Sequence, residues 1–119
     1  MFLGDEYLPS AIFLEYIPKM EMIHLHNFTE QRMNNFIEGI REIHKALVRH
    51  RDPKPRNMMT IQDDPERTIW IDFDRAETYD GDSMTNEQSR LLEEEEETVV
   101  GLKQCLVSRF LMCDALLTL

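Results

Sequence analysis

The residues best suited to chemistry lie in two short runs. One is His50-Arg51-Asp52-Pro53-Lys54-Pro55-Arg56-Asn57, and the other is Asp72-Phe73-Asp74, which begins fifteen positions after Asn57. Pro53 and Pro55 fix φ and forbid a continuing helix, so the first run is a stiff loop. On it, Asp52 is a carboxylate able to orient a hydroxyl and take its proton. Lys54 offers a cation to charge developing on a moving phosphoryl group. Asn57 and Asp72 carry the hard oxygen atoms that Mg²⁺ prefers, with phosphate oxygens and water completing an octahedron. Phosphoryl transfer is mainly positioning and charge neutralisation, and these side chains are of the kinds that supply both. Each also has a plainer reading, because an aspartate after a helix or strand often caps or turns the chain.

The first run resembles the catalytic loop of protein kinases, H-R-D-x-K-P-x-N, at all six specified positions of the eight. Asp72-Phe73-Asp74 stands where that family has Asp-Phe-Gly, with Asp74 replacing the glycine. Phe13-Leu14-Glu15-Tyr16-Ile17 is similar to the strand and hinge that receive adenine. The resemblance covers roughly residues 11 to 76. It implies catalytic roles for Asp52 and Lys54 and Mg²⁺ ligation by Asn57 and Asp72. It also implies ATP contacts from Glu15, Ile17 and Met59, and a structural His50 packed beneath Phe73. Ile71 to Ala76 is similar as well to aminoglycoside and choline kinases, which accept small hydroxyl or amino substrates. Lys54-Pro55 leans towards the serine/threonine protein kinases, so the acceptor class stays open.

A Gly-rich loop and a Val-Ala-Ile-Lys strand are expected ahead of the hinge, and only ten residues precede Ala11. The expectation is a partial kinase-like C-lobe without its N-lobe, inactive alone because water would reach the phosphates. The alternative is a non-catalytic, pseudokinase-type binding module. It would present an apolar patch over Ile12, Leu14, Ile17 and Met59 to a protein partner or a second copy.

The elements that must position these residues follow from periodicity. Residues 11–17 are β-branched and aromatic up to Pro18 and predict a strand. Asn27, with Glu30 three positions on, predicts a capped helix over 27–50. Its stripe is Met33, Phe36, Ile37, Ile40, Ile43, His44, Leu47 and Val48. Two β-rich runs within 57–73, separated by residues 63–67, predict a hairpin. Thr85 and Gln88 predict a second capping box opening a helix over 85–117, with Glu93 to Glu97 as a solvated face and Gly101 as a soft point. Thr78, Tyr79 and Ser83 fall in a polar loop, and His24 and His26 are too few for a metal site. The fold class is α+β, mostly helical, as one domain.

Composition narrows the function. With 42% hydrophobic and 30% charged residues, the 119-residue chain can build a single core. A net charge of −10 disfavours phosphate-backbone binding, so no nucleic-acid partner is expected. Nothing approaches about 18 consecutive apolar residues, and the N-terminus has no signal-peptide pattern, so no membrane association and a cytoplasmic location are expected. Cys105 and Cys113 lie about 12 Å apart along one helix, too far to pair, and are expected reduced with one or both in the core.

Overall fold

The computed structural model describes residues 14–118, with side chains as far as Arg109. The architecture is α+β: two long helices and two small antiparallel sheets. Strand β1 (Met20–Met22) is followed by α1 (Glu30–Lys45), β2 (Val48–Arg49), β3 (Met58–Ile61), β4 (Asp64–Trp70), β5 (Glu77–Thr78) and α2 (Asn86–Thr118). The first sheet has the order β1-β3-β4, and the second pairs β2 with β5.

Helix α1 starts later and ends earlier than its apolar stripe implies. Thr29 is the cap, its hydroxyl accepting from the Arg32 N–H at 3.0 Å. Asn27 closes the preceding turn instead, accepting from His24 N at 2.8 Å and donating to the Met22 carbonyl at 2.9 Å. At the other end the Ala46 N–H reaches back to the carbonyls of Glu42 and Ile43, and Leu47 takes a φ of 60°. A left-handed residue cannot extend a right-handed helix, so the chain leaves as β2. The apolar spacing of Leu47 and Val48 simply ran on into a strand.

The hairpin is present with shifted limits. Its turn is Gln62-Asp63, and residues 64–67, expected in the loop, belong to β4. The ladder pairs Met58 with Trp70, Met59 with Ile69 and Thr60 with Thr68, then slips to pair Ile61 with Asp64. This irregularity lets a longer β4 face a shorter β3. The third strand is β1, where Met20, Glu21 and Met22 pair with Ile61, Thr60 and Met59. The expected strand over 11–17 is irregular in its described part, Leu14 to Ile17. Pro18 and a left-handed Lys19 turn the chain before pairing begins. Residues 11–13 of that expected strand, Ile12 included, lie outside the described residues.

The core forms where α1 lies between the sheet and α2. Ile23, Met33, Phe36, Ile37, Ile40, Met58 and Val99 are all buried there. Trp70 packs edge-on to Phe36 with ring centroids 5.7 Å apart, and its indole N–H donates to the Phe36 carbonyl at 3.0 Å. Helix α2 opens with the expected reciprocal box: Gln88 N–H to the Thr85 hydroxyl at 3.1 Å and Thr85 N–H to Gln88 Oε1 at 3.0 Å. It then runs for 33 residues, about 50 Å, straight through Gly101, whose α-carbon faces open space. Cys105 is exposed, not a core thiol, and the Cys113 side chain lies outside the described residues. Among the described residues no helix is long and apolar enough to cross a membrane.

Candidate functional site

The loop after β2 is pinned from beneath by α2. The Glu95 carboxylate is buried, 6% exposed, and accepts three hydrogen bonds. They come from His50 N–H at 2.9 Å, Arg51 N–H at 2.7 Å and His44 Nε2 at 2.8 Å. Burial pushes its pKa up, but the His44 bond and the two backbone bonds outweigh burial, leaving Glu95 below the ordinary carboxylate range. This corrects the reading of Glu93 to Glu97 as a wholly solvated face. The signal was present in the register: Glu95 stands three positions after Leu92 and four before Val99, both buried. One acid of the five shares the buried stripe.

His50 connects the two runs. Its Nδ1 accepts from the Asp52 N–H at 3.1 Å and its Nε2 donates to the Ile71 carbonyl at 2.8 Å, which sets the neutral Nε2–H tautomer. The ring is fully buried, 4.7 Å from the Phe73 ring centroid and 5.5 Å from that of Trp70. Its place is structural, against Phe73.

Around Asp52 the polar groups converge. Its carboxylate is buried and receives Arg56 Nη2 at 2.8 and 3.0 Å and Asn57 Nδ2 at 2.8 Å, while Lys54 Nζ stands 3.9 Å away. The Arg56 hydrogen bond is the largest influence and lowers its pKa; burial opposes it, and Asn57 and Lys54 add to the lowering. Asn57 Nδ2 also donates to the Asp52 carbonyl at 2.9 Å. The amide nitrogen is thereby committed to Asp52, and Asn57 Oδ1, which accepts no hydrogen bond among the described residues, is the atom left for a ligand.

The second run lies beside the first. The Ile71 N–H donates to the Asn57 carbonyl at 3.0 Å, one step beyond the Met58–Trp70 pair, so the next residue, Asp72, leaves the ladder beside Asn57. Asp72 is exposed, with φ of 59°, and its Oδ1 accepts from the Asp74 N–H at 3.3 Å. Arg51 also has a positive φ, 71°, and its guanidinium pairs with Glu77 at 3.0 Å. Left-handed backbone at a non-glycine residue costs roughly 1–3 kcal/mol and collects at functional sites. Here it marks both runs.

The resemblance assigns Glu15, Ile17 and Met59 to adenine. Glu15 is paired bidentately with Arg67 of β4, at 2.8 and 2.9 Å. Ile17 is half-buried in the irregular segment, and Met59 is half-buried in the ladder between Met22 and Ile69. The structure thus gathers Asp52, Lys54 and Asn57 closely and ties the backbone of Ile71, the residue before Asp72, to that of Asn57, while Glu15 is paired with Arg67. Asn57 Oδ1 and the Asp72 carboxylate are hard oxygen donors of the kind Mg²⁺ accepts, with phosphate oxygens needed to complete the shell. Among the described residues no three His, Cys, Asp or Glu side chains gather as a metal site of their own. No family model matches the chain, and neither does any curated protein or solved structure.

Proposed function

We propose that the chain is the catalytic-loop half of a kinase-like, ATP-dependent phosphotransferase. The observation that carries this reading is the double tie between the runs: His50 Nε2 to the Ile71 carbonyl, and Ile71 N–H to the Asn57 carbonyl. On this reading it would bring the Asp52 carboxylate, the Asn57 amide oxygen and the Asp72 carboxylate into one neighbourhood. Mg-ATP, when bound, supplies the phosphoryl group and the charge of the metal. Asn57 and Asp72 would hold the metal. Asp52 would accept the acceptor's hydroxyl proton as its oxygen bonds to phosphorus and the bond to the ADP oxygen breaks. Lys54 would meet the charge on the transferring group. The sequence holds no G-x-G-x-x-G run to cover the phosphates, and phosphotransfer by this segment alone is expected to be negligible. A cytoplasmic location accords with this reading.

The test is the thermal unfolding of wild type, Asp52→Asn and Asp72→Asn with Mg-ATP. The reading expects a nucleotide-induced rise in Tm that Asp72→Asn abolishes. A rise that both variants preserve would overturn the metal assignment.

A second reading, a binding module, draws on a different observation. Leu14 and Tyr16 are 84% and 87% exposed, and Met20 and Met22 of β1 are also exposed. On this reading they hold a protein partner or a second copy. Sedimentation of wild type against a Leu14→Asp/Tyr16→Asp variant tests the second copy: a dimer that the variant splits supports it, and a wild-type monomer removes it.

A further inference from the structure

Helix α2 is twice as long as the helix it packs on, 33 residues against 16. The pairs His44–Glu95, Arg41–Glu96 and Asn34–Lys103 step in opposite directions along the two, so α1 and α2 are antiparallel. The same stepping sets Glu30, where α1 begins, level with Val107. Residues 109–118 therefore run past α1 as an overhang of about 15 Å. Seven of these ten residues are apolar and their positions fall on every side of the helix, with Arg109 and Asp114 as the charges. A helix apolar all round calls for cover on every side.

Above the overhang, α1 and α2 leave a groove of about 900 Å³ between them. Ile37, Val100 and Val107 give it apolar surface, inside polar walls that extend from Glu30 to Arg41, about 17 Å along α1.

We infer that the overhang of each copy seats in the groove of a second copy, so that the chain forms a twofold dimer through α2. The lengths agree. A helical segment about 15 Å long and 10–12 Å across occupies roughly 1,200–1,700 Å³, so the groove takes half or more of its girth. Charge permits the approach. The charged residues lining the groove, Glu30, Glu38, Arg41 and Lys103, cancel, and so do Arg109 and Asp114. Glu96, which pairs with Arg41, adds one negative charge, so most of the chain's −10 lies elsewhere. The contact is also reciprocal. Positions 100, 104 and 107, which line the groove, share a helix face with positions 111 and 115 of the overhang. Two α2 helices set antiparallel along this face place each overhang in the other copy's groove, and the twofold closes the assembly. Each copy contributes its ten overhang residues and the twelve that line its groove, within the about 20–30 residues a side of a stable interface. The neighbour that the second half of α2 lacks is thus α1 of the second copy, and the four helices form a bundle.

Sedimentation of the full chain over a range of concentrations tests this, with urea unfolding to show that each variant stays folded. Leu111→Glu/Ala115→Glu charges the overhang past α1. Gln104→Lys/Ser108→Lys charges exposed positions of the groove with the opposite sign. The wild type is expected to dimerise, and each double variant to self-associate at least tenfold more weakly. An equal mixture of the two should recover a heterodimer, because one of its contacts is native and the other sets glutamate against lysine. Leu14→Asp/Tyr16→Asp, on the separate apolar surface, should leave the dimer intact. A monomeric wild type overturns the inference, and phosphatidylcholine vesicles that bind it but not Leu111→Glu/Ala115→Glu would give the overhang to a lipid surface instead. A dimer that survives either charged variant, that both split without recovery on mixing, or that Leu14→Asp/Tyr16→Asp abolishes also overturns it.

Discussion

His50 and Ile71 are joined by a hydrogen bond of 2.8 Å from the imidazole Nε2 to the backbone carbonyl, and this bond sets where the second run begins. The histidine is fully buried, so its loss leaves a cavity and two unpaired backbone groups, the Asp52 N–H and the Ile71 carbonyl. Cavity and unsatisfied hydrogen bonds together place the cost of His50→Ala at about 2–4 kcal/mol. Urea denaturation measures it. His50→Phe refills the volume without the bonds, and it should recover part of the stability but not any Asp72-dependent response to Mg-ATP. Full recovery of both by phenylalanine would show that the ring is filler alone.

Glu95 makes stability depend on acid. Its folded pKa lies below the ordinary 4.5, because hydrogen bonds outweigh the opposing effect of burial. The stabilisation is therefore complete above about pH 4.5 and is lost as pH falls through the lower folded value. Glu95→Gln keeps the shape but turns an amide N–H towards donors, and should cost about 2–4 kcal/mol at neutral pH. Urea midpoints from pH 7 to 3 should show wild type losing its advantage over the variant below about pH 4.5. Parallel curves would mean that other carboxylates govern acid unfolding.

The Asp52 loop was legible because its chemistry is local: two prolines and an aspartate within eight residues state a rigid loop wherever it sits. The hairpin was legible for the same reason, through β-branched runs flanking a polar turn. The support beneath the loop was not. Glu95 acts across 45 residues on the His50 N–H, and a run of five glutamates hides which one faces inward. The pairing of β2 with β5 joins two-residue strands, too short for any period to register. The end of α1 was missed because Leu47 adopts φ of 60° without the glycine that usually announces such a cap. Strand β1 draws its pairing from β3 far along the chain, and three residues, Met20 to Met22, carry no alternation that could be counted.

The helical glycines separate two environments. At Gly39 an added Cβ would lie 3.1 and 3.2 Å from Trp70 Cδ1 and Nε1. Trp70 cannot easily yield, held by its bond to the Phe36 carbonyl and by the rings of Phe36 and His50. At Gly101 an added Cβ would meet no described residue within 4 Å. Alanine gains about 0.5–1 kcal/mol in a helix interior. Gly101→Ala should therefore raise stability by about that amount, while Gly39→Ala should lower it despite the same helix propensity. Thermal unfolding of the two variants decides the matter, and a stabilising Gly39→Ala would show that the tryptophan has room to move.

Arg56 is the strongest influence on the acidity of Asp52, and the sign of its removal follows from that contact. The Arg56 hydrogen bond lowers the Asp52 pKa most, burial works against it, and Asn57 and then Lys54 lower it further. Removing the guanidinium leaves burial less opposed, so Arg56→Gln should move the Asp52 titration upward. Lys54→Gln, whose ammonium is 3.9 Å from the carboxylate, should move it in the same direction by less. Carboxyl-carbon NMR titration of wild type and both variants reads this order directly. Because the folded pKa is depressed below 3.8, the contribution of Asp52 to stability is present above that value and lost as pH falls through the folded pKa. Arg56→Gln should weaken that low-pH dependence together with the depressed titration. If the Asp52 resonance titrated identically in wild type and Arg56→Gln, the guanidinium would be a bystander, and the carboxylate would owe its acidity to the Asn57 amide.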